Sequence, residues 1–232
     1  PIGPRSAADR GVLAHALLAR MDFRRPVVPP PSAIVAAAAR AGLWPAPGPE
    51  ECDELIALVR RFAATELCQR LGRATDARRE ERFAFALDSD PGQPLIVGAL
   101  DVLAREPTDR ALIVDSKSDR LGAADPATVV GEAYATQRLV YALAALHGGA
   151  AHVEVAHCFL ERPEEPVIAT FARDQLPELA TGLRALADGV LRRSFAVTPE
   201  PCRATCAGCP AEGGLCSWPR SQTRREAADT LF

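Results

Sequence analysis

Two aspartates and a lysine are associated with two consecutive apolar segments, and these residue types suit a divalent cation. Asp101 lies in the segment 95–103, which is otherwise almost entirely apolar. Asp115 directly follows a second apolar segment, 111–114, and precedes Lys117 by two residues, so both side chains point to one face of a strand. If the strands are neighbours, Asp101 and Asp115 converge, and close carboxylates repel each other unless a cation lies between them. Carboxylates that hold Mg²⁺ or Mn²⁺ beside an ammonium group are suited to phosphodiester hydrolysis.

The same spacing has a second interpretation, in which none of these residues does chemistry. Asp101 and Asp115 would then end strands at the surface, and Lys117 would be a solvated charge, because most charged side chains are exposed. Apolar strands that end in aspartate are common. Spacing alone therefore leaves both interpretations open.

Hydrophobic periodicity predicts the elements that must position these residues. Two-residue alternation or short continuous apolar runs predict five strands, at residues 80–87, 95–103, 111–114, 152–160 and 166–171. The apolar runs 95–103 and 111–114 predict central strands covered on both faces. Helical spacing predicts helices at residues 7–20, 32–42, 50–71, 125–148 and 174–193, with Ser32 and Asp125 as N-caps, and a turn at 88–92. This order of helices and strands indicates an α/β domain with a mixed sheet between helices.

Five short motifs follow one another in an order known from one group of nucleases. They are Gly11-x-x-x-His15, Glu80-x-x-Phe83, Gly98-x-x-Asp101, Asp115-x-Lys117 and Gln137-x-x-x-Tyr141. In order and approximate spacing they resemble the RecB-like nucleases of the PD-(D/E)XK superfamily, the C-terminal nuclease domains of RecB-type helicase–nucleases. Segments 15–23 and 115–122 look closest to that branch. The resemblance implies a restriction-endonuclease-like α/β fold, a mixed central sheet flanked by helices, with an N-terminal helical cap and a Cys-rich C-terminal tail.

The resemblance also implies a catalytic metal centre. His15, Asp101 and Asp115 would bind Mg²⁺ or Mn²⁺, and the backbone carbonyl of Ser116 would complete the protein ligands. Lys117 would position or activate the attacking water and stabilise charge on the phosphate. The chain departs from the family at Ser116, where an aromatic residue is common, but a strand directs this side chain away from the metal.

Three further positions follow from the same resemblance. Glu80 would belong to the catalytic residues, and it fits the family position better than its neighbour Glu81. Gln137 and Tyr141 are four residues apart, and therefore on one face of a helix that in the family contacts the DNA strand. A core position is the alternative for Tyr141, because aromatic side chains in helices usually pack.

The tail contains four closely spaced cysteines, Cys202, Cys206, Cys209 and Cys216. In a chain without a secretory signal, such spacing favours a metal over disulfides. The tail resembles the three-cysteine tail of nucleases that hold a [4Fe–4S] cluster, with a fourth ligand from far upstream. Cys202 is the nearest candidate for that fourth ligand here, and Cys52 and Cys68 are remote candidates. Zn²⁺ bound by four thiolates and a metal-free tail remain alternatives.

Composition limits these hypotheses. The 232 residues are 48% hydrophobic, and we expect one nuclease domain over 1–232, with a helical part at 1–72, a nuclease core at 78–195 and a metal-binding tail at 198–220. The net charge of −3 provides no overall basic surface for nucleic acid. The sequence has no signal peptide and no apolar run that could span a membrane, so we expect a cytoplasmic protein. The first residue is Pro1, and we expect a fragment of a longer chain.

The leading hypothesis is metal-dependent hydrolysis of DNA by the nuclease domain of a helicase–nuclease in DNA repair and recombination. Helicase motor domains would supply the strand, which agrees with the modest charge. The first alternative is a catalytically silent DNA-binding or scaffolding module with the same fold, which is expected to have lost Asp101, Asp115 or Lys117. The second is a zinc-stabilised interaction domain with incidental carboxylates. The sequence leaves open whether single or double strands are cut, and whether cleavage is exo- or endonucleolytic.

Overall fold

The structure is a computed structural model that describes residues 6–87, 95–194, 197–209, 211 and 214–226. The chain divides into two compact units, Pro1–Leu186 and Ala187–Phe232. The turn expected at 88–92 lies outside the described residues. The expected single domain with its three parts stays a prediction.

The described part of the first unit contains a mixed five-stranded sheet. Its strands are β1 (Asp76–Ala86), β2 (Leu95–Glu106), β3 (Arg110–Lys117), β4 (His152–Phe159) and β5 (Val167–Ala172). Strands adjacent in the chain are adjacent in the sheet; β3 and β4 run parallel, and the other pairs are antiparallel. The predicted mixed sheet is therefore confirmed.

Helices precede, connect and follow these strands. They are α1 (Ala7–Leu18), α2 (Pro31–Arg40), α3 (Pro49–Ala63), α4 (Glu66–Arg73), α5 (Pro126–Ala133), α6 (Ala135–His147), α7 (Leu176–Leu191), α8 (Arg203–Cys206) and α9 (Arg220–Thr223). Helices α5 and α6 form the connection that parallel β3 and β4 require. No helix in the described part of the chain is long and apolar enough to cross a membrane.

Two apolar cores lie on opposite faces of the sheet. One contains Leu112 and Val114 of β3 together with residues of helices α1 to α4. The other contains Ile113 of β3 and residues of α6, with α7 packed against it. Because successive strand residues alternate between the two faces, both cores need apolar side chains from β3, which explains its continuous apolar run.

Two predictions about the N-terminal helices were wrong. Residues 50–71 form two helices instead of one, and Ser32 is not an N-cap. Thr65 separates α3 from α4, because its side chain accepts a hydrogen bond from the Cys68 N–H at 3.1 Å and caps a new helix. Ser32 lies inside α2, which begins at Pro31, since the fixed φ of proline suits the first helical turn.

The predicted helix 125–148 begins as expected but is interrupted. Asp125 caps α5 by accepting a hydrogen bond from the Thr128 N–H at 2.9 Å. Tyr134, with φ −121° and ψ 6°, then separates α5 from α6. The interruption lies immediately before the helix that carries Gln137 and Tyr141.

Strand β2 is covered on both faces only in its second half. The prediction of a fully covered strand was wrong for its first half, where Leu95 is 61% and Val97 is 68% exposed. The reason is the sheet register: β2 pairs with β3 only from Val102 to Glu106, whereas it pairs with β1 from Leu95 to Arg105. The outer half of the β1–β2 hairpin therefore extends past β3.

Candidate metal centre

Asp101 and Asp115 lie opposite each other where β2 and β3 begin to separate. The ladder between these strands ends at the pair Val102 and Val114, and the two aspartates are the next residues outward. The backbone N–H of Ser116 donates a hydrogen bond to Asp101 Oδ2 at 2.9 Å, which holds Asp101 against β3. The carboxylates converge, as the sequence predicted from neighbouring strands.

Strand β1 adds a third carboxylate to this point of the sheet. Arg79 pairs with Val102 and Glu81 with Leu100, so the register places Glu80 opposite Asp101. Glu80 has a φ of 51°, in the left-handed region that costs a residue with a side chain on the order of 1–2 kcal/mol. Such backbone strain concentrates at functional sites, and here it occurs next to the carboxylate cluster.

Helix α1 brings a histidine to the same carboxylates. His15 Nδ1 lies 3.1 Å from Asp101 Oδ2, and this hydrogen bond raises the pKa of His15. Gly11 lies one turn earlier on the helix, where an added Cβ would be 2.9 Å from Ser118 Oγ. The missing side chain lets α1 approach the segment after β3, which gives the Gly-x-x-x-His motif a physical reason.

The resulting donor set fits a hard divalent cation. Within the described ranges, ligand atoms of His15, Glu80 and Asp101 all lie within 4.8 Å of one another. Burial, followed by the negative charge of Asp101, raises the pKa of Asp115 to about 6. Asp115 Oδ2 is buried, and the ammonium group of Lys117 lies 2.7 Å from it. Carboxylates and one imidazole are ligands that Mg²⁺ and Mn²⁺ accept, and a cation would relieve the repulsion among these acids.

Lys117 is held beside Asp115 by a short chain of polar contacts. Its Nζ lies 2.7 Å from Asp115 Oδ2 and donates a hydrogen bond to Gln137 Oε1 at 2.8 Å. Gln137 Nε2 donates to the Tyr141 hydroxyl at 2.9 Å, and that hydroxyl lies 3.5 Å from Asp115 Oδ1. Tyr141 is only 7% exposed. Tyr141 thus lies on the buried side of the site, and Gln137 is half-buried next to it. Direct contact between either residue and DNA stays a prediction.

Sequence reasoning missed two aromatic residues of this site. Lys117 Nζ lies 4.0 Å from the ring centroid of Tyr134, a cation–π distance. Tyr134 also stacks on His157, with ring centroids 5.8 Å apart. His157 pairs with Asp115 in the parallel β3–β4 ladder, and its Nε2 lies 3.8 Å from Asp115 Oδ2. The sequence could have pointed to His157 because it is an ionisable residue inside the apolar run of β4.

Two motif residues act through packing on the β1–β2 hairpin. Gly98 pairs with Phe83, and an added Cβ at Gly98 would lie 2.6 Å from Phe83 Cζ. The Phe83 ring therefore lies across the glycine, and it contacts Tyr141 edge to face at a centroid distance of 6.3 Å. This packing connects the Glu-x-x-Phe and Gly-x-x-Asp motifs with the Gln-x-x-x-Tyr motif.

The tail cysteines lie in the second unit. Cys206 is buried, Cys209 is exposed, and Cys202 and Cys216 are half-buried. Within the part of the tail that the structure describes, no three of these thiols are gathered closely enough to form a ligand group. Metal binding by the tail therefore has no geometric support from these positions and stays a prediction.

Solved structures to which this chain is distantly similar include the following two. A protein from Eubacterium rectale, whose name proposes exonuclease activity, is 11% identical with a TM-score of 0.49, over 84% of this chain and 71% of that protein. The protein SSO0001 is 12% identical with a TM-score of 0.33, over 78% of this chain and 74% of that protein. Similarities this low support no conclusion about function. Curated protein sequences gave no significant match.

A protein-family model matches nearly the whole chain. The model describes the PD-(D/E)XK nuclease superfamily and matches residues 2–213. The match agrees with the mixed five-stranded sheet between helices and confirms the restriction-endonuclease-like fold expected from the sequence. On this evidence the chain belongs to the PD-(D/E)XK nuclease superfamily.

Proposed function

We propose that this chain hydrolyses DNA phosphodiester bonds with a divalent cation, as a RecB-like nuclease domain. The observation that carries the proposal is the cluster of His15, Glu80 and Asp101 beside the ion pair of Asp115 and Lys117. Every residue that a catalytically silent relative is expected to have lost is present and lies at this cluster. We therefore propose that the protein is an active enzyme and not a scaffolding module.

The proposed metal ligands are His15, Asp101, Asp115 and the backbone carbonyl of Ser116, and Glu80 lies close enough to assist them. Nucleases of this superfamily generally use divalent metals such as Mg²⁺ or Mn²⁺. When bound, the cation supplies positive charge beside the scissile phosphate and makes water more acidic. His15, Asp101 and Asp115 would hold the cation beside the position of the phosphate, with both carboxylates deprotonated.

Lys117 has the proposed role of orienting the attacking water and stabilising negative charge on the phosphate. Asp115, Gln137 and Tyr134 hold its ammonium group, so the charge is positioned before substrate arrives. Its side chain is 12% exposed, and an ammonium in such a partly dry site interacts with phosphate more strongly than in water.

We further propose that helicase motor domains deliver the DNA and that the parent helicase–nuclease acts in DNA repair and recombination. The five motifs in RecB-like order support this assignment, as do segments 15–23 and 115–122. The net charge of −3 agrees with DNA binding by other parts of a larger assembly.

For the cysteine tail we retain the proposal of a structural [4Fe–4S] cluster or Zn²⁺ on Cys202, Cys206, Cys209 and Cys216. The support is the Cys-x-x-Cys spacing, which favours metals. Elemental analysis and the visible absorption spectrum of the purified protein distinguish iron–sulfur, zinc and a metal-free tail.

The deciding experiment is cleavage of labelled single- and double-stranded DNA with Mn²⁺, Mg²⁺ or EDTA. Wild-type protein is expected to cut with metal and not with EDTA. Asp115→Ala and Lys117→Ala are expected to abolish cutting, because one removes a ligand and the other removes the charge beside the phosphate.

The same assay defines the result that would contradict the proposal. Absence of cutting with every metal, together with DNA binding that both substitutions leave unchanged, would indicate the silent DNA-binding module. Cutting that survives both substitutions would place the active site elsewhere.

A further inference from the structure

We propose that His157 is a positioning residue that holds the Asp115 carboxylate in place when the site contains its cation. The inference rests on the proposed function, because it assumes that Asp115 is a metal ligand. His157 is completely buried on β4 and pairs with Asp115 in the sheet. The sheet register therefore fixes the imidazole beside this carboxylate.

Packing alone does not explain a histidine at this position. Neither ring nitrogen of His157 has a hydrogen-bond partner among the described residues, and burying such polar atoms without partners costs free energy. A phenylalanine would fill similar space and still stack on Tyr134. The imidazole is therefore expected to have a role that needs a nitrogen.

The nearest suitable acceptor is Asp115 Oδ2, at 3.8 Å from His157 Nε2. A movement of about 1 Å would bring the two atoms to hydrogen-bond distance. Stacking on Tyr134, at 5.8 Å and 27°, limits the tilt of the imidazole and keeps Nε2 directed along the sheet towards β3.

The contacts of Lys117 explain when this hydrogen bond is needed. In the structure Lys117 Nζ lies 2.7 Å from Asp115 Oδ2 and is the partner of this oxygen. To serve water or phosphate, the ammonium group must turn away from that oxygen. The Nε2–H of His157 then donates to Oδ2 and keeps the carboxylate orientation, as the outer partners of metal ligands generally do.

Metal affinity and metal-free stability together test the proposal. Mn²⁺ affinity is measured from the electron paramagnetic resonance signal of free Mn²⁺, and stability from thermal unfolding in EDTA. We expect His157→Phe to weaken Mn²⁺ binding on the order of 10- to 100-fold. The same variant is expected to raise the metal-free Tm, because two buried unbonded nitrogens are removed. His157→Gln, whose amide N–H is placed similarly to Nε2, is expected to keep Mn²⁺ affinity close to wild type.

His147→Phe is the control for replacing a histidine that stacks on an aromatic ring, because His147 is exposed, stacks on Phe85 at 5.0 Å and lines a different cavity. It is expected to leave Mn²⁺ affinity unchanged. If His157→Phe does not fold, His157→Leu against His157→Gln gives the same comparison.

Three results would overturn the proposal. Unchanged Mn²⁺ affinity in His157→Phe with a lower metal-free Tm would make His157 a packing residue. If His157→Phe and His157→Gln lost Mn²⁺ affinity equally, the N–H group would not be what holds Asp115. Wild-type protein that does not bind Mn²⁺ would remove the metal site and this inference together. Mn²⁺ binding without DNA cleavage would contradict only the nuclease proposal.

Discussion

The ammonium group of Lys117 has three neighbours that together fix its position. Asp115 provides charge, Gln137 provides a carbonyl oxygen, and Tyr134 provides the face of its ring. Gln137 is the one of these three for which the resemblance to RecB-like nucleases implies a DNA contact. Its side chain is already engaged at both ends, by Lys117 and by the Tyr141 hydroxyl. A role in orienting Lys117 therefore competes with a role in DNA binding.

Replacing Gln137 by leucine separates these two roles. Gln137→Leu removes the acceptor of Lys117 Nζ, so the ammonium group relaxes towards Asp115 and is less available to water and phosphate. We expect kcat to fall on the order of 10-fold, with little change in DNA affinity, as for other outer partners of a metal site. Single-turnover cleavage and equilibrium DNA binding measure the two quantities.

Gln69→Leu, at an exposed position of α4, is the control for introducing leucine. It is expected to change neither quantity. Weaker DNA binding at unchanged kcat in Gln137→Leu would instead favour the DNA contact that the family resemblance implies.

At the scale of elements, the β1–β2 hairpin and helix α6 are linked by a contact across a glycine. Phe83 lies across Gly98, and its ring meets Tyr141 of α6 edge to face. The strand pairing that orients Glu80 and Asp101 is thereby coupled to the helix that orients Lys117. The motif glycine matters because a side chain at that position would occupy the space of the ring.

Gly98→Ala is therefore expected to destabilise the protein. The new Cβ would lie 2.6 Å from Phe83 Cζ, so the ring must move off the strand and away from Tyr141. Overpacking of this kind typically costs about 1–3 kcal/mol. Urea unfolding measures the difference in the free energy of unfolding.

Gly131→Ala provides the opposite case on α5. An added Cβ there meets no atom of the described residues within 4 Å, and alanine is the better helix former by about 0.8–1 kcal/mol. This control is expected to stabilise the protein. A stable Gly98→Ala variant would indicate that Phe83 can move without cost.

At the scale of the whole molecule, a charged network ties the N-terminal helices to the sheet. Arg70 of α4 makes paired hydrogen bonds with Glu106 of β2, at 2.7 and 2.8 Å, and with Glu154 of β4, at 2.7 and 3.1 Å. Arg110 adds a contact to Glu154 at 2.8 Å. These groups are largely shielded, with 26% exposure for Arg70 and 15% for each glutamate, so the network holds α4 over three strands.

Arg70→Met is expected to lower the free energy of unfolding at neutral pH by about 2 kcal/mol, because two partly buried carboxylates lose their main partner. The hydrogen bond from Arg70 lowers the pKa of Glu154 below its ordinary value of 4.5. A lowered folded-state pKa gives stability that is present above the ordinary value and is lost as pH falls through the lowered one. The difference between wild type and variant is therefore expected to shrink in acid.

Urea unfolding at neutral pH and in acid, below the ordinary pKa of glutamate, tests this dependence. Arg78→Met is the control, since its ion pair with Asp76 is about half exposed and such pairs contribute little. A difference for Arg70→Met that is the same at both pH values would rule out the assigned role of Glu154.

Local patterns were sufficient to predict the class of the fold and to select several residues that lie together in the candidate metal centre. The apolar run of β3 predicts a strand covered on both faces, and Asp115 and Lys117 two residues apart must share a side of that strand. The order of the five motifs predicts the superfamily, which the family match confirms. These features were predictable because they depend on periodicity and short spacings, which are properties of the chain itself.

The long-range arrangement was decided by the tertiary structure. The left-handed backbone of Glu80, the helix interruption at Tyr134 and the burial of His157 beside Asp115 have no sufficient local signal. Each feature depends on a partner from a distant part of the chain. Glu80 lies opposite Asp101 in the β1–β2 ladder, the Tyr134 ring contacts Lys117, and His157 lies beside β3 because β4 pairs with that strand. Sequence periodicity determines which face a side chain occupies, whereas only the pairing of distant segments determines which partner it meets there.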